Sequence, residues 1–187
     1  NNVAFTSAGA DITFSSTVDG AVDITATAGA GDLSFGAAVG GTTPPTGLLV
    51  ASAGDMQVSA GGITLGANGL DFTGGTATVS GPVQTSGGGS VEYTSSGLLT
   101  LAAAADHTID GSFTQNGAGA VSTAADITTT DDVVSILRAI TLTGNVAIDT
   151  MGSGTTGANL TISSTVDGAS SLTIDTNEAD VTIGSTI

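Results

Sequence analysis

The heptapeptide Ser15-Ser16-Thr17-Val18-Asp19-Gly20-Ala21 returns unchanged as Ser163-Ser164-Thr165-Val166-Asp167-Gly168-Ala169. Around it, residues 11–39 align with residues 159–187 at a constant offset of 148 with no gap, and 11 of the 29 pairs are identical. The apolar pairs Ile12/Leu160, Phe14/Ile162, Val18/Val166, Ile24/Leu172, Leu33/Val181, Phe35/Ile183 and Val39/Ile187 keep their character even where the letters differ. A chain that repeats at this scale while preserving its apolar positions stacks units along an axis rather than closing a globule. Residues 1–143 therefore read as one long repeat and residues 144–187 as the start of the next, within one continuous body spanning 1–187.

Within the repeat, short runs alternate apolar and polar with a period of two: Ile12-Thr13-Phe14, Val22-Asp23-Ile24, Leu33-Ser34-Phe35, Ile63-Thr64-Leu65, Ile140-Thr141-Leu142 and Leu160-Thr161-Ile162. Such runs send large residues to one face and Thr, Ser or Asp to the other, as a strand with one buried face requires. Between them stand Asp19-Gly20, Gly61-Gly62, Asn68-Gly69, Gly74-Gly75, Asp110-Gly111 and Asn116-Gly117. These residues accept the backbone conformations of sharp corners.

Many short strands with a corner after each fit a sandwich, a barrel or a solenoid. An immunoglobulin-like sandwich fills its core with a Trp and a corner Tyr, and this chain has no Trp and only Tyr93. The expectation is an all-β parallel β-solenoid, a right-handed, three-sided β-helix of roughly eight or nine coils. At about 4.8 Å per coil the rod is about 40 Å long, with Phe14 and Phe35 among the largest interior residues. Two segments break the rhythm. Residues 40–47 contain Pro44-Pro45, which cannot donate to a ladder. At residues 151–158 the offset changes, because Asn145-Val146-Ala147-Ile148 matches Asn2-Val3-Ala4-Phe5 at 143. Five residues are inserted there, and both segments are expected to protrude as loops.

The heptapeptide, followed by Asp32-Leu33-Ser34-Phe35-Gly36-Ala37-Ala38-Val39-Gly40-Gly41-Thr42-Thr43-Pro44, resembles the repeats of large bacterial surface proteins of the filamentous-haemagglutinin and autotransporter-adhesin type. The resemblance covers the first third and last sixth of the chain, and the middle in style only. It implies a secreted β-helical stalk or fibre, extracellular or on the cell surface, with a role in adhesion or envelope architecture.

Composition narrows the chemistry. Seventeen acidic residues stand against one basic residue, Arg138, giving a formal charge of -16. Such a surface has almost no cation with which to release phosphate counterions, so nucleic acid and anionic lipid are poor partners. With 40% hydrophobic residues the chain has enough apolar surface to escape disorder. It has no cysteine for a disulfide or thiolate site. No stretch approaches the roughly 18 consecutive apolar residues of a membrane span, and Val133 to Leu142 is interrupted by Ser135 and Arg138. Beginning at Asn1-Asn2, the chain reads as a section of something longer.

No catalytic, cofactor-binding or metal-binding residues are assigned. His107, the single histidine, alternates into the same register as Ile109. A Ser-His-Asp site built on it is the catalytic alternative, and the chain is expected to catalyse nothing. Arg138 is expected to lie outward and pair with an acidic neighbour. Calcium is the ion that an oxygen-only surface offers, since stacked aspartates repel by about 0.9 kcal/mol at ~4.8 Å in water. Against it, the glycine-rich nonapeptide of calcium-binding β-rolls is absent and Asp131-Asp132 is the one adjacent acidic pair. Thr25/Thr27, Thr76/Thr78, Thr128/Thr130 and Thr141/Thr143 raise an ice-binding face, but their irregular spacing reads as ordinary outward threonines. The leading expectation is a structural fibre segment partnered end to end by copies of itself or by further repeats. The alternative is an adhesin that holds glycan or protein with its loops.

Overall fold

The structure, a computed structural model, describes residues 2–185. Asn1 and Ile187 lie outside the described residues, so the expected pairing of Ile187 with the position of Val39 has no structural counterpart. Among the described residues there are 23 strands and no helix. The strands form three parallel sheets, the sides of one solenoid.

The first side holds β1 (Val3–Thr6), β3 (Asp23–Thr27), β5 (Gly47–Ala53), β8 (Gly69–Gly74), β11 (Val91–Ser95), β14 (Phe113–Gln115), β17 (Val134–Ile136), β20 (Leu160–Ile162) and β23 (Val181–Ile183). The second holds β2 (Ile12–Phe14), β4 (Leu33–Phe35), β6 (Met56–Val58), β9 (Ala77–Val79), β12 (Leu99–Leu101), β15 (Val121–Thr123), β18 (Ile140–Leu142) and β21 (Val166–Gly168). The third holds β7 (Ile63–Leu65), β10 (Val83–Thr85), β13 (His107–Ile109), β16 (Ile127–Thr129), β19 (Val146–Asp149) and β22 (Leu172–Asp175). Single bridges from Val18 to Val39 and from Val39 to Ile63 carry the third side back to the start. The chain visits the sides in turn for about eight coils, and β23 begins a ninth.

Most strands are three residues long because each side needs one apolar residue inward, one small polar residue outward and one more inward before the corner. β4, β7, β9, β12 and β20 all show this buried, half-buried, buried pattern. Inward residues therefore stack on inward residues of the next coil. One column on the first side runs Val3, Ile24, Leu48, Leu70, Val91, Phe113, Val134, Leu160, Val181.

Steps along that column are 21 or 22 residues, except for 24 between Ile24 and Leu48 and 26 between Val134 and Leu160. The long steps contain residues 40–47 and 151–158, the two breaks in the sequence rhythm. On the third side, Val146 to Leu172 is 26 residues, whereas its repeat counterpart, Val3 to Ile24, is 21. The five inserted residues thus sit at a corner and leave the ladder intact.

The repeat does not return to the same side. Ile12 lies on the second side and its counterpart Leu160 on the first; Ile24 lies on the first and Leu172 on the third; Leu33 lies on the second and Val181 on the first. The offset of 148 is one side short of seven coils. Inward positions are preserved because all three sides demand the same alternation.

Candidate functional surface: corner clamps, loops and a groove

The corners carry the most specific chemistry on the outside of the rod. Asp11, Asp32 and Asp55 each precede a strand of the second side and stack one above another. The amide of Asp32 donates to Asp11 Oδ1 (2.9 Å), that of Asp55 to Asp32 Oδ1 (3.0 Å) and that of Thr76 to Asp55 Oδ1 (2.8 Å). On the third side, Asp106 accepts from the Asp126 amide (3.0 Å) and Asp126 from the Ala147 amide (2.7 Å). Asn159 likewise accepts from the Asp180 amide on the first side (3.0 Å). A carboxylate that accepts a backbone N–H offsets the repulsion of its neighbours and satisfies a corner amide. The stacked aspartates therefore find their partners in the backbone, where the sequence had offered calcium. Among the described residues no three His, Cys, Asp or Glu side chains converge to hold a metal ion. For Asp11, Asp32, Asp55 and Asn159 the signal was present in the sequence as Asp or Asn directly before an apolar-x-apolar triplet.

Both excursions are fastened by the same device. Asp19 Oδ1 accepts the amides of Thr42 (2.8 Å) and Thr43 (3.1 Å), and these bonds hold its carboxyl below the ordinary aspartate range. Pro45 is buried and residues 41–44 are exposed. Asp131, in the left-handed conformation with φ 58°, accepts amides from Thr155 (3.0 Å), Thr156 (3.0 Å) and Gly157 (2.8 Å). Its carboxyl is lowered by those bonds. Thr150, buried below that loop, donates to the Ala158 carbonyl (2.6 Å) and accepts its amide (3.0 Å). Each loop is a pinned corner rather than a free tether.

Beside the first loop, an open groove of about 270 Å³ runs over the first side, lined by Asn2, Asp23, Thr25, Leu49, Asn68 and Asp71 among others. Asp23 Oδ1 accepts from the Thr46 hydroxyl (2.6 Å) and the Asn68 amide (2.8 Å), which lower its carboxyl. Asp71 is raised, by partial burial and by Glu92, its ladder partner one coil on. Leu49 is 40% exposed. The groove offers hydrogen-bonding carboxylates and amides around one apolar contact.

His107 and Ile109 both point into the core, at 1% exposure each, as alternation requires. The imidazole Nδ1 donates to the Ala105 carbonyl (2.7 Å), and Nε2 accepts from the Tyr93 hydroxyl (3.0 Å). Its ring meets Phe113 edge-on at 5.5 Å. Burial pushes the histidine down to about 4 and the Tyr93 phenol up. Neither nitrogen reaches a serine or a carboxylate, so the residues of the catalytic alternative are not brought together here. Gln115, an interior polar residue that alternation alone did not flag, donates to the carbonyls of Gly117 (3.3 Å) and Gly119 (3.1 Å).

Arg138 is exposed as expected, but its acidic partner is replaced by the Gly117 carbonyl, to which Nε donates at 2.9 Å. The corner below it presents a carbonyl to the guanidinium. The four threonine pairs are spread over all three sides, with Thr25 on the first, Thr78 and Thr141 on the second and Thr128 on the third. No family model matches this chain, and neither a curated protein nor a solved structure matches it.

Proposed function

We propose that this chain is a structural segment of an extracellular or cell-surface fibre or stalk, non-catalytic, that spans distance rigidly and is lengthened end to end by more coils of its own kind. The observation that carries this reading is the continuous stack of three parallel sheets, in which each coil buries its inward residues against the next so that added coils add length and not girth. At one end Val3 and Phe5, both inward in their ladder, are 39% and 37% exposed; at the other, Val181 is 45% exposed. There an opening of about 230 Å³ leads onto Leu142, Val166, Leu172, Ile174 and Ile183. Leu49, Leu98, Val133 and Leu137 are exposed along the flanks, whereas at the two ends exposed inward residues coincide with unpaired strand edges. Covering those edges with another coil relieves both costs at once. The resemblance to filamentous-haemagglutinin and autotransporter-adhesin repeats points the same way and supplies the surface localisation.

Electron microscopy of the native material tests the reading. Fibres or stalks one solenoid wide are expected; a compact particle as broad as it is long overturns it.

A second reading, an adhesin, is favoured by the groove beside the pinned loop of residues 40–47. Shortening that loop abolishes adhesion of a monomer to glycan or cells under this reading and leaves a fibre unchanged under the first.

A further inference from the structure

The groove beside residues 40–47 owes its shape to missing side chains on the outer face of the first side. There the ladder sets Asp23 beside Gly47 and Gly47 beside Gly69, so two successive coils add no side chain to that column. The adjacent outward column is full, with Thr25 beside Leu49 and Leu49 beside Asp71. The result is a notch of about 270 Å³ with a glycine floor and a wall of hydroxyl, isobutyl and carboxylate groups. Gly47 belongs to the third strand of its sheet, so the notch opens on the flank and leaves the axis free for stacking.

The bare floor also fixes a carboxylate. Asn68 reaches across Gly47 to donate its side-chain amide to Asp23 Oδ1 (2.8 Å), and the Thr46 hydroxyl donates to the same oxygen (2.6 Å). A Cβ at Gly47 would stand 2.7 Å from the Asn68 Cβ, so a larger residue there closes that route. Asp23 is held in one orientation, and its Oδ2 accepts from no described residue. Together with the Asp71 carboxylate and the Asn68 carbonyl oxygen it makes the notch rich in acceptors, while the Thr25 hydroxyl can donate or accept. Between Thr25 and Asp71, Leu49 is 40% exposed and supplies the apolar contact.

We infer that this notch binds one ring of a neutral hexopyranose, whose hydroxyls donate to Asp23 and Asp71 and whose C–H face lies on Leu49. The inference rests on the adhesin reading and deepens it, because it names the ligand class and the residues that hold it. Clustered acceptors suit a ring that carries several O–H donors, and an exposed leucine suits the aliphatic face of the same ring. A carboxylated or sulfated sugar is repelled by the two carboxylates and by a chain of formal charge -16. Because Asp23 is already fixed by Thr46 and Asn68, it loses little freedom when a ligand arrives.

The test adds neutral gluco-, galacto- and manno-oligosaccharides to the isotope-labelled chain and follows its backbone amide shifts, with a uronic-acid and a glucosamine oligosaccharide as charged comparators. At least one neutral sugar should bind saturably and shift the amides of Thr25, Leu49, Asn68 and Asp71. Asp71→Ala and Leu49→Ser, both at exposed side chains, should each weaken that affinity by about fivefold or more without moving the melting temperature. Thr161→Ala, farther along the same side, should leave it unchanged. Failure of every neutral sugar to bind, an affinity indifferent to both substitutions, or tighter and salt-sensitive binding of the glucosamine oligosaccharide overturns the inference. If neutral sugars fail while the chain still adheres to cells and loses adhesion on shortening residues 40–47, the adhesin reading stands and the inference falls. If neutral sugars bind in the notch but the chain does not adhere to cells, the adhesin reading falls and the notch remains a sugar site.

Discussion

The middle and the end coils of this solenoid are built from the same alternating triplets, yet they differ in what those triplets bury. Phe72, Tyr93 and Phe113, each with a coil above and below, are fully enclosed. Phe5, inward in the same column as Phe72 and Tyr93, has a neighbour on one side only and is 37% exposed, although it packs edge-on against Phe14 at 4.9 Å. The difference teaches that burial here belongs to pairs of coils rather than to any one strand. Stability should therefore be close to a sum of nearest-neighbour terms, with the ends weakest.

The sharpest way to break that comparison uses a single coil. Ile162 in β20 is covered by β23, whereas Ile174 in β22 borders the open end. Ile162→Asp buries an unpaired carboxylate and should destabilise by several kcal/mol, roughly 4 or more. Ile174→Asp should cost less than half as much, and Thr161→Asp, on the outer face, should stay within about 0.5 kcal/mol. Equal effects in denaturant melts would remove both the alternation and the nearest-neighbour argument.

Truncating aromatics sharpens it further. Phe72→Ala should cost about 3–5 kcal/mol through the cavity it leaves, while Phe5→Ala should cost roughly half as much or less, because Phe5 is already 37% exposed. A comparable loss at Phe5 would mean that the end coil is as tightly held as the middle.

Acid distinguishes the same regions by another route. The folded pKa of His107, about 4, lies below its ordinary 6.5, so between those values the unfolded chain takes up a proton that the native core refuses. Stability from this group is present above pH 6.5 and is lost as pH falls toward 4, on the order of 3 kcal/mol in all. Asp19, Asp23 and Asp131, lowered from 3.8, add their losses only below that value. Asp71, raised, works in the opposite sense and gains as it protonates. In urea melts from pH 7 to 4, His107→Gln should flatten most of the slope. An unchanged slope would place the acid sensitivity at the corners instead.

The smallest effect concerns the corner aspartates. Since they accept backbone amides, EDTA should move the melting temperature by a few degrees at most. Collapse of the fold in EDTA would return calcium to the corners.

Much of this organisation was legible beforehand. Ile12-Thr13-Phe14 and its relatives announced strands with one wet face, and Pro44-Pro45 and the change of offset near residue 151 located both excursions. Asp11, Asp32 and Asp55 were visible as acidic corners, but their role was not, because the amide each one meets belongs to a residue 21 or 23 positions later. Arg138 was misassigned a carboxylate for the same reason: its partner, the Gly117 carbonyl, comes from the coil below.

What the sequence determined alone was the inward direction of the apolar residues in the alternating triplets, and where corners and insertions fall. These depend on local alternation and on residues that tolerate sharp turns. Only the tertiary structure decided on which side each strand lies, that the second copy of the repeat sits one side away from the first, and which amide each aspartate clasps. Coil length sets those relations, and it accumulates over 19 to 26 residues per turn, so an extra corner residue shifts every later partner without changing any local pattern.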